Sequence, residues 1–377
     1  MTVSRLNQHF GRVGYAVWIW GIAGLVVFLG RPVAAFAQEP VPVTDSSFDP
    51  PAYVVYRTEE ALKIDGTFDE NVWNRVEWTA SFVDIRGEET STPRFGTRAK
   101  MLWNKDYFFI AAELEEPDVW ATLSERDVIV WKDDAFEVFI DPSGDTHSYY
   151  ELQVNALETV RDLFLVKPFR DGGAAIGAWN IRDIQVGVDI KGTLNNPSDR
   201  DQGWTVELAL PWEILAEAAS EGRPLHSGEQ WRVNFARPDW SLRVVDGAYK
   251  KEKGGSTDWW VWAPQGTVNM HKPERFGYVQ FVEERAGEEV VAFTEDPNER
   301  LKWALRQLYY RQREYQKIHE EYATDLSDLN ASEIAVEGRD FRPTLNTTRS
   351  MFEITAPGTN GTILHIRHDG KVWRTAE

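Results

Sequence analysis

The sequence predicts a mainly β protein, a jelly-roll-like antiparallel β-sandwich followed by a small α+β unit with one long amphipathic helix. Short apolar strands at fairly regular spacing, with only short helices between them, favour a sandwich over an alternating α/β sheet. Near the end of the chain, Leu301, Leu308, Tyr315 and Tyr322 recur every seven residues and form one helical stripe. Apolar runs separated by glycine turns follow, and they predict a small sheet on which this helix packs.

The amino-terminal segment predicts a signal peptide over residues 1–37. Arg5 and Arg12 precede an apolar run, and the small-residue site Ala35-Phe36-Ala37 precedes Gln38. The apolar run is shorter than the ~20 residues that a membrane-spanning helix needs. We therefore predict cleavage and export to the periplasm, the cell surface or the medium, with no membrane insertion after cleavage.

The composition excludes several classes of protein. The chain has no cysteine, which excludes a disulfide framework and a thiolate metal site. Its formal net charge of −19 disfavours binding to nucleic acid and to anionic membranes, because like charges repel. The 17 tryptophans are suited both to core packing and to ligand binding, so their number alone does not decide between the two.

The elements of the predicted sandwich, residues 53–283, follow from local patterns. A first strand begins at Tyr53, and a short helix after the Asp65-Gly66 turn buries Trp73. The basic, glycine-rich residues 249–255 predict an exposed loop. Further strands are predicted within residues 99–114, 161–166, 184–190, 203–210 and 231–236, with a helix at 212–219.

The long helix of the second unit has a clear predicted start. Asp296, Pro297 and Glu299 have the pattern of a helix cap, a first-turn proline and a capping-box glutamate. We assign this unit no chemistry. The predicted segments outside the sandwich are a linker at 38–52, a second linker at 284–295 and the α+β unit at 296–377.

One predicted hairpin, residues 131–156, alternates apolar and polar positions on both strands. A turn near Asp145 would place Glu137 opposite Gln153. Asn155, two residues further along, would lie on the same polar face, because strand side chains alternate between faces.

Trp131 stands where the first strand of this hairpin begins, so one surface would carry an indole, a carboxylate and two carboxamides. Carboxylates and amides make directional hydrogen bonds to sugar hydroxyls, and a flat ring covers the C–H face of a pyranose. The alternative is a solvated sheet face with one tryptophan at its edge.

Five sequence motifs occur in order along the chain: I-D-G-T-F-D-E-N-V-W (64–73), A-K-M-L-W-N-K-D-Y-F-F-I-A-A-E-L-E-E-P-D (99–118), W-K-D-D-A-F-E-V-F-I-D (131–141), G-W-T-V-E-L-A-L-P-W (203–212) and P-E-R-F-G-Y-V (273–279). Together they resemble the family 9 carbohydrate-binding modules. These modules are similar to DOMON-type β-sandwiches and are attached to xylanases and related secreted enzymes. The resemblance runs from about Ala61 to Val282.

In this family, two tryptophans hold the terminal sugar of the ligand, with polar contacts from adjacent strands. The resemblance implies that Trp131 is the first of these tryptophans, Glu137 the binding glutamate and Asn155 a binding asparagine. Gln153 stands where the family has an arginine.

The second tryptophan of the family is not carried over. Met270 stands in its place, and methionine is flexible and lacks a planar ring. Ala236 occupies a glutamine position, with an arginine beside it. The candidates to replace the missing ring are His271, Trp259 and Trp260. The predicted carbohydrate-binding residues are Trp131, Glu137, Gln153, Asn155, Arg237, Met270 and His271.

These observations predict an exported carbohydrate-binding protein for xylan-like or cellulose-like polysaccharides or oligosaccharides, accessory to carbohydrate catabolism. Its expected partners are glycans and secreted or cell-surface glycan-degrading enzymes. One alternative is a glycoside hydrolase in which Glu137 pairs with Asp133 or Asp134. Another is a surface-assembly protein that binds no sugar. A haem protein is disfavoured, since the adjacent Met270 and His271 would point to opposite faces of a strand.

We predict no catalytic residue and no cofactor. Calcium is an open alternative, because residues 127–134 and 141–145 are rich in carboxylates, although their spacing fits no specific calcium loop.

Overall fold

A computed structural model describes residues 48–87, 89–219, 227–255 and 257–376. The predicted signal peptide (1–37) and most of the predicted linker 38–52 lie outside these residues. Within the described ranges, no helix has the length and apolar character needed to cross a membrane.

The described part of the sandwich is built from strands with five short helical segments between them. Its strands are β1 (Ala52–Arg57), β2 (Val83–Asp84), β3 (Thr97–Trp103), β4 (Tyr107–Glu115), β5 (Ala135–Asp141), β6 (Tyr149–Asn155), β7 (Val160–Leu165), β8 (Ala175–Ile176), β9 (Gln185–Lys191), β10 (Gly203–Pro211), β11 (Gln230–Trp240), β12 (Leu242–Val245), β13 (Ala248–Lys251), β14 (Thr257–Val261) and β15 (Gly277–Arg285). Its helices are α1 (Trp212–Leu215) and the 3₁₀ helices Asn71–Arg75, Val130–Lys132, Phe169–Asp171 and Pro273–Arg275.

The prediction of a mainly β sandwich is confirmed. One half has the strand order β8-β7-β6-β5-β11-β15 and the other has the order β3-β4-β10-β9, while β1 joins β15 to β3. Strand β14 pairs with β11 and β2. The pairs within each half are antiparallel, as predicted, but β1 runs parallel to both of its neighbours. Parallel pairing is possible here because long connections, rather than hairpin turns, link β1 to these strands.

Side chains from both halves meet in one core, which is what makes the fold a sandwich. This core includes Val55, Phe108, Phe136, Trp204 and Phe281, each at most 2% exposed. The Phe108 and Phe281 rings pack edge to face, with their centres 5.4 Å apart. Full burial of each such side chain is worth about 1.5–3 kcal/mol.

Trp73 is a core residue, as predicted, but it lies in a smaller cluster apart from the main core. It is 1% exposed, and its indole Nε1 donates a hydrogen bond to Glu207 Oε1 at 3.1 Å. Burial raises the pKa of Glu207 to about 7, with a further contribution from the charge of Glu70.

Two local predictions in the sandwich are wrong. The predicted loop 249–255 contains β13, which forms a hairpin with β12. Tyr249 anchors this hairpin, because its hydroxyl donates to Asp118 Oδ1 at 3.0 Å. The predicted helix 212–219 is α-helical only from Trp212 to Leu215.

The carboxy-terminal unit consists, as predicted, of one long helix packed on a small antiparallel sheet. The helix begins at Glu299 rather than directly after a cap at Asp296, because Asp296 forms a turn in which its Oδ1 accepts from the Asn298 amide at 2.8 Å. It ends at His319, since Glu320 adopts a left-handed conformation with φ 63°. The elements are α2 (Glu299–His319), the 3₁₀ helices Leu326–Leu329 and Ala331–Glu333, and strands β16 (Thr344–Thr347), β17 (Phe352–Pro357), β18 (Thr362–Arg367) and β19 (Val372–Ala376).

A buried ion pair of the sandwich, together with side chains of α2, joins this unit to the sandwich. Arg170 makes a bidentate pair with Glu274, with nitrogen–oxygen distances of 2.8 and 2.9 Å. Tyr310 on α2 donates its hydroxyl to the same Glu274 carboxylate. Arg313, also on α2, pairs with Asp171 at 3.1 Å. Both partners in the first pair are 5% exposed at the side chain, so breaking it would leave a buried charge without a partner.

Candidate functional site

The polar hairpin has the predicted register. Glu137 on β5 lies opposite Gln153 on β6, and Ala135 lies opposite Asn155. The alternate positions, which include Phe136, enter the main core. The remaining face is extended on one side by β7 and on the other by β11, where Ala236 pairs with Glu137.

Three tryptophans gather beside this polar face. The rings of Trp131 and Trp240 are nearly parallel, at 7°, with centres 6.4 Å apart. Trp259 lies 6.0 Å from Trp131 at an angle of 52°. The Trp240 indole also donates to the Trp131 carbonyl at 3.0 Å, which fixes the backbone of Trp131. Lys251 Nζ lies 3.5 Å from the centre of the Trp240 ring, so Trp240 is partly covered and supports Trp131.

Two glutamates lie side by side beneath this aromatic cluster. Glu137 is 1% and Glu151 is 5% exposed. Burial raises the pKa of Glu137 well above its ordinary range, and the charge of Glu151 raises it further. Burial also raises the pKa of Glu151. Glu137 therefore tends to hold a proton, and its Oε1 is buried without a hydrogen-bond partner among the described residues.

Gln153 connects these glutamates to the aromatic cluster. Its Oε1 accepts from the Trp131 amide at 3.2 Å, and its Nε2 donates to Glu151. The side-chain amide of Gln153 thus orients both the backbone of Trp131 and the carboxyl group of Glu151.

Asn155 lies on the predicted face but is occupied by contacts within the chain. Its Nδ2 donates to the Leu123 carbonyl at 2.8 Å and to Asp133 Oδ2 at 3.2 Å. Its Oδ1 accepts from the amides of Leu157 and Thr159 at 3.0 and 3.1 Å. With 0% exposure, Asn155 holds the loops at this end of the hairpin.

Arg237 is not brought to the polar face. It follows Ala236 on β11 and therefore points to the opposite side of the sheet. Its Nη2 pairs with Glu116 at 2.6 Å and with Asp239 at 2.9 Å. Its guanidinium lies 5.0 Å from the ring of Trp260, which is 2% exposed and belongs to the main core. Trp260 is thus not positioned to replace the missing tryptophan of the face.

Met270 and His271 do reach the polar side of the sheet. Met270 is 6% exposed and packs in the cluster that contains Phe139 and Ala236. The His271 Nδ1 lies 3.0 Å from the Tyr149 hydroxyl, and its Nε2 lies 3.8 Å from Glu151. Burial, together with the Arg170 guanidinium, lowers the pKa of His271 to about 3. A neutral His271 can share a hydrogen bond with Tyr149 without adding charge to the face.

The two acids that a hydrolase would pair with Glu137 have other contacts. Asp133 accepts from the backbone amides of Thr122 and Leu123 at 2.6 and 2.8 Å. Asp134 accepts from the Trp240 amide at 2.7 Å. The carboxyl group beside Glu137 on the polar face is that of Glu151.

In the part of the chain that the structure describes, no three histidine or acidic side chains lie together as a metal site. The Asp141 carboxylate, within one of the acidic segments that left calcium as an alternative, accepts from the amides of Gly144 and Thr146 at 2.9 and 2.8 Å. These contacts close the tip of the hairpin.

A protein-family comparison matches residues 64–284 to the family described as "Carbohydrate family 9 binding domain-like". This match covers more than half of the chain. The chain belongs to this family. The predicted resemblance is thereby confirmed over nearly the same residues.

Two curated relatives match parts of the family 9 domain-like chain. A stretch of 165 residues, 44% of the chain, is 25% identical to "Exoglucanase XynX" of Acetivibrio thermocellus. A stretch of 152 residues, 40% of the chain, is 25% identical to "Endo-1,4-beta-xylanase A" of Thermoanaerobacterium saccharolyticum. The matches span only 13% and 11% of those two proteins.

Solved structures also resemble the family 9 domain-like chain. A family 9 carbohydrate-binding module from Caldicellulosiruptor kristjanssonii in complex with cellotriose is 16% identical, with a TM-score of 0.41, and the match covers 64% of this chain and all of that one. A putative carbohydrate-binding protein from Bacteroides uniformis is 14% identical, with a TM-score of 0.45, and the match covers 62% of this chain and all of that one.

Two residues at the polar face, Trp240 and Glu151, were not among the predicted binding residues. Trp240 lies four positions after Ala236 on the same strand, so period-two alternation would have placed both on one face. The same alternation places Glu151, two positions before Gln153, on the polar face. No local pattern indicates that Trp240 contacts Trp131, because this contact depends on the pairing of β11 with β5.

Proposed function

We propose that this chain is an exported carbohydrate-binding protein whose ligand is a plant-type, xylan-like or cellulose-like glycan. The observation that carries the proposal is the cluster of Trp131, Trp240 and Trp259 beside the buried Glu137, whose Oε1 has no partner among the described residues. Membership of the family 9 carbohydrate-binding domain-like family supports the same ligand class.

Each part of the face matches one part of a sugar. The indole rings of Trp131 and Trp259 can cover the C–H face of a pyranose. Glu137 and Gln153 supply a carboxyl group and an amide for its hydroxyls. Both polar groups are 1% exposed, so the sugar must displace a side chain that covers them. The half-buried Trp131 and Trp259 are the side chains that we propose to move.

The charge of the protein favours neutral glycans over acidic ones. The formal net charge of the protein is −19. A uronic acid would meet repulsion here, whereas xylose, glucose or mannose units would not. The names of the two curated relatives, an exoglucanase and a xylanase, support a neutral glycan as the ligand. They also support a partnership with secreted glycan-degrading enzymes.

Calorimetric titration of the chain with xylo-, cello- and manno-oligosaccharides tests the proposal. We expect heat of binding with at least one series. The same oligosaccharides with a chemically reduced end show the mode of recognition, because loss of binding on reduction means that the site holds a chain end. No heat with any of these sugars, from folded protein, would contradict the proposed function and favour the surface-assembly alternative.

Export rests on the amino-terminal pattern of two arginines, an apolar run and a small-residue cleavage site. We expect the protein recovered outside the cytoplasm to begin at Gln38, as measured by intact mass. A chain that keeps its first 37 residues would contradict cleavage.

A further inference from the structure

Two buried arginines line one cavity where the carboxy-terminal unit packs on the sandwich. Arg232 lies on β11 and is 6% exposed, and Arg306 lies on α2 and is 2% exposed. Arg232 Nη2 donates to the Glu274 carbonyl at 2.6 Å, and Arg306 Nη2 donates to Thr146 Oγ1 at 3.2 Å. Both of these acceptors are neutral.

Three nitrogen atoms of these two guanidinium groups are buried without a hydrogen-bond acceptor in the described part of the chain. They are Arg232 Nη1, Arg306 Nε and Arg306 Nη1. A buried donor without a partner costs about 1–3 kcal/mol, and a charged donor costs more. An acceptor bound to these nitrogen atoms would therefore stabilise the folded chain.

The nearby carboxylates already have cations of their own. Glu274 pairs with Arg170 at 2.8 Å, and Glu299 pairs with Lys302 at 2.5 Å. Within the described ranges, Arg232 and Arg306 have no carboxylate at ion-pair distance. The two guanidinium groups thus lack a direct carboxylate partner in a buried region, where unpaired charge is costly, and Arg232 packs on the Tyr278 ring at 3.9 Å.

Both arginines line one small cavity, together with Thr146 and Gly144 from the hairpin tip. The paired charges Glu274, Glu299 and Lys302 line it too. The volume of this cavity is about 20 Å³. A water-sized species needs roughly 10–15 Å³ by the same kind of measure. The cavity therefore has room for one water-sized species.

We propose that a single chloride ion binds between Arg232 and Arg306 and fastens α2 to the sandwich. A monatomic anion is close to water in size, accepts hydrogen bonds from several directions and offsets the positive charge. Because Arg232 comes from β11 and Arg306 from α2, the ion would be held by both parts of the described chain. This proposal is independent of the sugar site.

Thermal unfolding of the full-length chain in sodium chloride and in sodium gluconate of equal ionic strength tests this proposal. At ten times the dissociation constant, we expect chloride to raise the Tm by about 2 °C relative to gluconate. Arg306→Gln should remove this difference. Arg243→Gln, at an exposed arginine on β12, should keep it. Equal Tm values of the wild-type chain in the two salts would mean that water alone fills the cavity, and would overturn the proposal.

Bromide gives a second readout that does not depend on a folded variant. Crystals of the wild-type chain soaked in sodium bromide should show an anomalous difference peak within hydrogen-bond distance of both guanidinium groups. A crystal that shows no such peak, with bromide peaks present elsewhere, would overturn the proposal.

Discussion

Trp131→Ala is expected to lower the affinity for the bound glycan at least about 100-fold, which corresponds to about 2.7 kcal/mol. Buried aromatic residues at the centre of a binding surface often contribute this much. Trp131 holds that place, because its ring lies within 6.4 Å of both Trp240 and Trp259 and its amide is bound by Gln153. Calorimetry with the sugar that binds the wild-type chain measures the loss, and circular dichroism shows whether the variant is folded.

Trp78→Ala is the matched control for Trp131→Ala. Trp78 is also half-buried, and its ring is covered by Arg98 and Lys100, at 4.3 and 4.5 Å from the ring centre. Removing it deletes an indole of the same size at a distance from the polar hairpin. We expect unchanged affinity in this control. A folded Trp131→Ala variant that binds as well as the wild type would refute the proposed site.

The hairpin was predictable because two independent patterns agree on it. Alternation fixed which residues share a face, and the polar turn near Asp145 fixed the register. A slip of one residue would have moved Glu137 into the core and Phe136 to the surface, so burial strongly favours a single register. Periodicity also predicted α2. The seven-residue spacing of apolar residues such as Leu301 and Leu308 gives a helix one apolar side, which must pack on another element.

Features that depend on distant strand pairing were not predictable in this way. The direction of the Arg237 side chain follows from the pairing of β11 with β5, which lie far apart in the chain. Alignment with a family motif placed Arg237 near the site, yet strand alternation sends its guanidinium to Glu116 and Asp239. The contact of Trp240 with Trp131 depends on the same pairing.

The unit after residue 295 illustrates the same limit. Its helix and sheet follow from local patterns, but nothing local indicates that Tyr310 reaches Glu274. That contact needs both the packing of α2 and the 3₁₀ helix Pro273–Arg275 of the sandwich. Local patterns thus predicted the elements of both units, whereas their docking required the structure.

The free energy of unfolding is expected to fall as the pH rises from about 5 to 8. Burial raises the pKa of Asp141 to about 7, helped by the charge of Asp145. Burial also raises the pKa of Glu207 to about 7 and that of Glu137 well above its ordinary range. The folded chain therefore keeps protons that the unfolded chain releases near pH 4, and folding loses stability as the pH rises through this window. A shift of this size at Glu207 alone corresponds to about 2.5 kcal/mol between pH 5 and 8.

His271, whose pKa is lowered to about 3, opposes this slope only in part, because several buried carboxyl groups have raised pKa values. Carboxyl groups with the opposite shift do not oppose it. Burial opposes ionisation of Glu274, but the Arg170 guanidinium outweighs it and holds the pKa of Glu274 far below its usual range. Such a group is ionised in both the folded and the unfolded chain above about pH 5, so it adds no slope there. Its stabilising contribution is lost only as the pH falls below about 4.

Glu137→Gln isolates one part of the pH effect, because glutamine has nearly the same shape and stays neutral at every pH. We expect the variant to have a shallower slope than the wild type and to be the more stable of the two at pH 8. Glu213→Gln, at an exposed position on α1, should leave the slope unchanged. Urea unfolding at pH 5, 6, 7 and 8 measures the slopes. A wild-type unfolding free energy that stays level or rises over this range would show that these buried carboxyl groups do not keep their protons in the folded chain.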